Sequence, residues 1–153
     1  MRWSIFGLAL AAAACTEMPV TGGAPVVGNV PQGAQQAYFT DYPESLFFAA
    51  AAVCDGPGQS VVQPSVNEVR CESLPDPESA AAIILQFDGT VAALPKFVIA
   101  FEGQNTPQGY LVTADNYIRV PQRSGGAQQV RFPDPVVSRE MSELLQAAGG
   151  RPV

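Results

Sequence analysis

The stretch that decides the fold is Lys96-Phe97-Val98-Ile99-Ala100-Phe101-Glu102, followed after a break by Tyr110-Leu111-Val112-Thr113-Ala114-Asp115-Asn116-Tyr117-Ile118-Arg119-Val120. Between its charged ends the first segment is apolar at odd and even positions alike. That predicts a central strand covered on both faces. Gly103–Gly109 reads as the hairpin loop joining it to the second segment. There, Tyr110–Ala114 and Tyr117–Val120 read as strands on either side of Asp115-Asn116, a turn or a bulge.

Outward from this pair, Val66–Glu72 reads as an earlier strand and Gln129–Phe132 as a last short one. Three helix starts carry Asp and Pro ahead of an apolar run, and each ends at Gly or Pro, the expected asymmetry of helix signals. Asp41-Tyr42-Pro43-Glu44 opens a helix over Ser45–Cys54, stopped by Asp55-Gly56-Pro57. Asp76-Pro77-Glu78 opens Ser79 to Gln86, although Ile83-Ile84-Leu85 has β character and residues 83–87 are open to either reading. Asp134-Pro135 opens Val136 to Ala148, stopped by Gly149-Gly150. In that third helix Val137, Met141, Leu144, Leu145 and Ala148 form one apolar stripe, with Arg139 and Glu143 four apart on the wet face. Phe47 and Phe48 are adjacent on the first helix and cannot both face one core; one packs the tether or meets a partner. Strands joined by short links favour antiparallel pairing, and helices at both ends cover one face. The prediction is an α+β two-layer sandwich with a mainly antiparallel sheet and about three helices.

With 153 residues the chain suits one domain. Its 47% apolar content supplies a core, and 28 Gly and Pro residues call for many loops and a linker. The formal charge is −6, with Lys96 the sole lysine. A chain this acidic cannot neutralise a run of phosphates, so nucleic acid is excluded as a partner. Nor does it offer a polybasic patch to anionic lipid. There is no histidine, which removes the commonest general base, the Ser–His and Cys–His pairs and imidazole ligands.

Residues 1–15 read Met-Arg-Trp-Ser-Ile-Phe-Gly-Leu-Ala-Leu-Ala-Ala-Ala-Ala-Cys. A single cation, an apolar run from Trp3 to Ala14 and small residues before Cys15 are the parts of a secretory signal. The run is too short to span a membrane, which takes about 20 residues. This segment resembles a bacterial lipoprotein signal peptide, and Ala12-Ala13-Ala14-Cys15 resembles the lipobox. Ala12 stands where that class usually has a larger aliphatic residue, and Leu10 lies two places further back. The resemblance implies that 1–14 are removed and that Cys15 becomes an acylated N-terminal residue. Thr16 in place of Asp at the next position resembles the outer-membrane-directed class, facing the periplasm. Residues 15–40 then read as the lipidated Cys and a Gly/Pro-rich tether whose reach, if flexible, is roughly 25 Å. Val26, Val27 and Val30 are linker residues or an edge strand docked on the domain. The globular part is expected over 41–153.

With Cys15 acylated, two cysteines remain. In an oxidising compartment Cys54 and Cys71 are expected to pair, closing a loop rich in turn formers. Two thiols so spaced and no histidine do not complete a zinc shell, so no metal site is expected.

The search for chemistry yields no catalytic residue and no cofactor. The chain has no nucleophile elbow, phosphate-binding loop or dinucleotide fingerprint. Glu102, Asp115 and Asp88 are the carboxylates near strand ends from which a small hydrolase could be built. Asp88-Gly89 is better read as a helix stop, and Lys96 as a strand-end cation whose stem covers apolar surface. Tyr110, Tyr117 and Arg119 are the candidates for an exposed aromatic–guanidinium binding face. The plainer reading of the tyrosines is that they half-bury against the helices. The sequence thus predicts a non-enzymatic, lipid-anchored cell-envelope protein whose domain binds an envelope protein. The alternatives are a periplasmic ligand-binding or inhibitor-type domain and, further off, a carboxylate-dependent hydrolase. Two carboxyls within about 10 Å in a cleft would favour the last.

Overall fold

A computed structural model describes residues 30–153. The expected signal peptide, Cys15, and Val26 and Val27 lie outside the described residues. The expected hairpin is the centre of the sheet: β4 (Lys96–Thr106) and β5 (Gly109–Pro121) pair antiparallel from Lys96 with Arg119 to Thr106 with Gly109. The loop expected over Gly103–Gly109 shrinks to a tight turn at Pro107-Gln108. There the Thr106 hydroxyl donates to the Gly109 carbonyl at 2.7 Å, and Gly109 takes φ 126°, open to glycine. Gly103 stays in the strand because its missing Cβ leaves room for the Tyr110 ring, which lies over it from the diagonal position.

Asp115-Asn116 makes neither turn nor bulge, and β5 runs straight through in regular register. An isolated Asp would disfavour that. Here its carboxylate finds a guanidinium partner, described below.

Among the described residues the sheet has seven strands, all antiparallel, in the order β2 (Gln59–Ser65), β3 (Glu68–Ser73), β4, β5, β1 (Gln35–Phe39), β7 (Arg151–Pro152), with β6 (Ala127–Val130) also on β5. Two of these strands correct the sequence reading. Residues 35–39 were expected in the tether, but Ala37 and Phe39 face the core and pair with Val112 and Tyr110, so the folded unit begins before 41. Gln59–Ser65, expected as loop, is an edge strand on β3. Its side chains are almost all exposed, and Pro64 falls where the register breaks, at the unpaired edge that proline tolerates.

The helices are α1 (Glu44–Ala52), α2 (Pro77–Gln86) and α3 (Pro135–Ala147). Residues 83–86 are helical. Asp76 accepts from the amides of Glu78 and Ser79, and Asp134 from that of Val136. In α1 the proline itself occupies the cap position and no side chain caps it. Asp88 at φ 51° and Gly89 end α2 as a helix stop.

Alternation sorts the sheet residues. Val69, Phe101, Tyr110, Val112, Ala114, Ala37 and Phe39 share one face with Leu46 and Phe47 of α1 and Met141 and Leu145 of α3. This is the main core, and the two-layer α+β sandwich is the architecture observed. Of the adjacent pair, Phe47 is buried and Phe48 points outward. The other face carries a smaller cluster of Val98, Ala100 and Tyr117 among charged residues. α2 stands at one end of the sheet, where Gly89 bridges to Gln122 and lies close to both Ile84 and Val120. No helix among the described residues is long and apolar enough to cross a membrane.

Cys54, just past α1, is bonded to Cys71 on the core face of β3, with Cα atoms 5.5 Å apart. The bond fastens the free end of α1 to the sheet. Closing a loop of this length contributes about 3 kcal/mol by restricting the unfolded chain. Replacing both cysteines by alanine should lower unfolding stability by about that amount in urea titration, and reductant should shift the native but not the double variant.

Candidate functional site

The tyrosines of the expected binding face are separated by an odd number of strand positions, so they point to opposite sides of the sheet. Tyr110 is buried in the main core, its hydroxyl donating to Asn67 Oδ1 at 2.9 Å. Tyr117 is buried on the other side, and Arg119 is half-buried two positions along that same strand face. The three do not form one exposed surface.

The face carrying Tyr117 is polar. Glu68, Arg70, Glu72, Lys96, Glu102 and Asp115 lie on it by register. Lys96 Nζ reaches the buried Glu72 carboxylate at 2.6 Å, and Arg70 pairs with Glu68. Lys96 therefore neutralises a buried carboxylate. Arg131 holds Asp115 with two nitrogens, the shortest contact being 2.6 Å, and lies 5.1 Å over the Tyr117 ring.

Glu102 and Asp115 both line a recess of about 380 Å³ on this face. They sit on adjacent strands at diagonal positions, roughly 7–8 Å apart along the sheet. The spacing suits two-carboxylate chemistry. The occupancy does not, because both Asp115 oxygens accept from Arg131. A general base needs a free oxygen turned to its substrate. Asp88 is remote from both, exposed at the α2 stop beside Arg123.

The core-side face offers different chemistry. α1 and α3 do not cover it completely, and between them lies a cleft of about 470 Å³. Its floor is Val69, Cys71, Ile99 and Phe101; Leu46 and Ala49 of α1, with Val53 just past its end, form one wall, and Leu144 of α3, with Ala148 just past its end, the other. Among the described residues, Ser45 and Gln59 are its only polar side chains and no charged residue lines it. Ile99 also lines a neighbouring apolar recess of about 330 Å³ with Phe97, Ile118 and Phe132. Ile99 is 47% exposed, Leu144 46% and Val53 75%.

The sequence reading missed this site. Phe97 and Ile99 were expected under a helix, and Leu144 in the core stripe. A strand apolar on both faces also fits a surface left open for a partner, and only the spacing of α1 and α3 decides between the two. Comparison with protein-family models, curated proteins and solved structures finds no match for the chain.

The two buried phenols make stability depend on pH. Burial pushes Tyr117 and Tyr110 above their ordinary value of 10.0. The folded state therefore holds these protons more tightly than the unfolded chain, so the contribution is complete below pH 10 and is lost as pH rises past it. Urea midpoints should fall above pH 10, and Tyr117→Phe should flatten that fall while leaving neutral stability nearly unchanged.

Proposed function

We propose that the chain is a non-enzymatic, lipid-anchored protein of the bacterial cell envelope, and that its domain binds a partner protein through the cleft between α1 and α3. The observation that carries the binding role is the cleft. An acidic domain that exposes Ile99, Leu144 and Val53 around one continuous apolar depression presents what interaction surfaces present. The ion pairs of the sheet lie on the opposite face, and among the described residues no charged side chain lines the cleft itself. Support for the anchor comes from residues 1–15, which resemble a lipoprotein signal ending at Cys15, and support for the outer-membrane, periplasm-facing placement from Thr16. Acylation at Cys15 leaves the chain held to the membrane by its N-terminus.

A small apolar ligand is the second reading, because the cleft volume falls among those of small-molecule pockets.

Two measurements test the proposal. Cys15→Ser should move the protein from the detergent phase to the aqueous phase; unchanged partitioning would defeat the anchor. A photo-crosslinking residue placed at Leu144 in the native envelope should capture a discrete partner. The same residue at Leu85, which is exposed on α2 outside the cleft, should not. Equal labelling from both positions, or none, would defeat the binding role.

A further inference from the structure

We infer that the cleft takes an amphipathic segment of a partner protein, apolar along one stripe and carrying Lys or Arg at its flanks. This rests on the cleft being the binding surface and adds the chemistry of its occupant. The lining supplies apolar contact and almost no hydrogen bonding, so an occupant must satisfy its own backbone, as a helix does. The rim supplies the sign of the charge. Glu44 precedes the lining residue Ser45 in the first turn of α1, and Glu140 lies one helical turn before Leu144 on the same side of α3. Both are exposed, and neither is in an ion pair among the described residues. Glu143 is turned to the outer side of α3, where it meets Arg139 at 3.8 Å in a pair that solvent screens.

Apart from Arg139, which is turned to Glu143 on α3, the cations among the described residues lie away from the cleft. Arg70, Lys96 and Arg131 are engaged with carboxylates on the far face, Arg119 and Arg151 share that face by register, and Arg123 lies beside Asp88 at the end of α2. A fatty-acid carboxylate or an anionic phospholipid head would thus meet negative charge at the mouth. A lysine or arginine flanking an apolar stripe would meet a complementary one.

The test uses the mature domain with its disulfide intact and three synthetic peptides with leucines spaced three and four apart: one flanked by lysines, one by glutamates, and one lysine-flanked with its leucines scrambled. The lysine-flanked amphipathic peptide should bind, the other two only weakly, and added salt should weaken binding. Glu44→Gln and Glu140→Gln should each weaken it by roughly 1.5- to 5-fold. Leu144→Glu and Ala49→Glu should abolish it, although each adds negative charge, which separates the cleft from general adhesion of basic peptides to an acidic protein. Melting curves of the two variants show whether they remain folded, as both positions are exposed. Equal binding of lysine- and glutamate-flanked peptides, or indifference to both glutamine substitutions, overturns the inference. So does tighter binding of palmitate or of phosphatidylglycerol vesicles that Leu144→Glu abolishes. Should the peptides fail while the crosslinker at Leu144 still captures a partner protein, this inference falls and the binding role stands; failure of both removes both.

Discussion

Continuous pairing of β4 with β5, from Lys96–Arg119 to Thr106–Gly109, is the constraint on which the rest of the molecule depends. β5 is longer than any single strand on its other side. β1 takes its first half, from Tyr110 to Ala114, and β6 its second, from Ile118 to Pro121. The two leave a notch at Asp115-Asn116-Tyr117, where β5 has no strand partner on that side among the described residues. Arg131, one residue past β6, crosses the notch to Asp115 and covers the Tyr117 ring. A buried carboxylate inside a strand is costly unless paired and hydrogen-bonded. Here the residue that pairs it also closes the gap between two strands.

The architecture was legible where local signals act without competition. Asp and Pro close together marked all three helices, and Asp76 and Asp134, each directly before its proline, cap as that signal implies. The parity of the two remaining cysteines gave the disulfide. What escaped was structure whose stability is tertiary. Gln35–Phe39 is too short and too polar to announce itself; Ala37 and Phe39 become core residues only because β5 offers them an edge. Gln59–Ser65 is nearly all exposed and becomes a strand because the Cys54–Cys71 bond and the β3 edge hold it there. The Asp115-Asn116 pair misled because its partner lies 16 residues from Asp115, beyond any local window.

The candidate site was not legible, and the reason lies in helix placement. Lys96–Glu102 shows which residues are apolar, not which are covered. On one side Val98 and Ala100 pack with Tyr117. On the other, Phe101 lies under the helices while Phe97 and Ile99 do not. The boundary falls within one strand face, so no periodicity could mark it. The tyrosines of the expected binding face were a different case: their odd spacing already placed them on opposite sides of any regular strand. Only the expected break at Asp115-Asn116 made a common face conceivable.

Charge follows the same division. On the open polar face Arg70, Lys96 and Arg131 are held by carboxylates in pairs, so much of the charge on that face is matched within it. The helical side has fewer charges, but the carboxylates nearest its cleft are unpaired or weakly paired. The disulfide matters here as well as to stability. Cys71 forms part of the cleft floor, and its bond to Cys54 fixes the end of the α1 wall next to Val53. In an oxidising compartment that wall is held in place before any partner arrives, so less of the binding free energy is lost in ordering it. Reduction would leave the sheet paired while freeing one side of the cleft, and apolar contact across two walls depends on both being held.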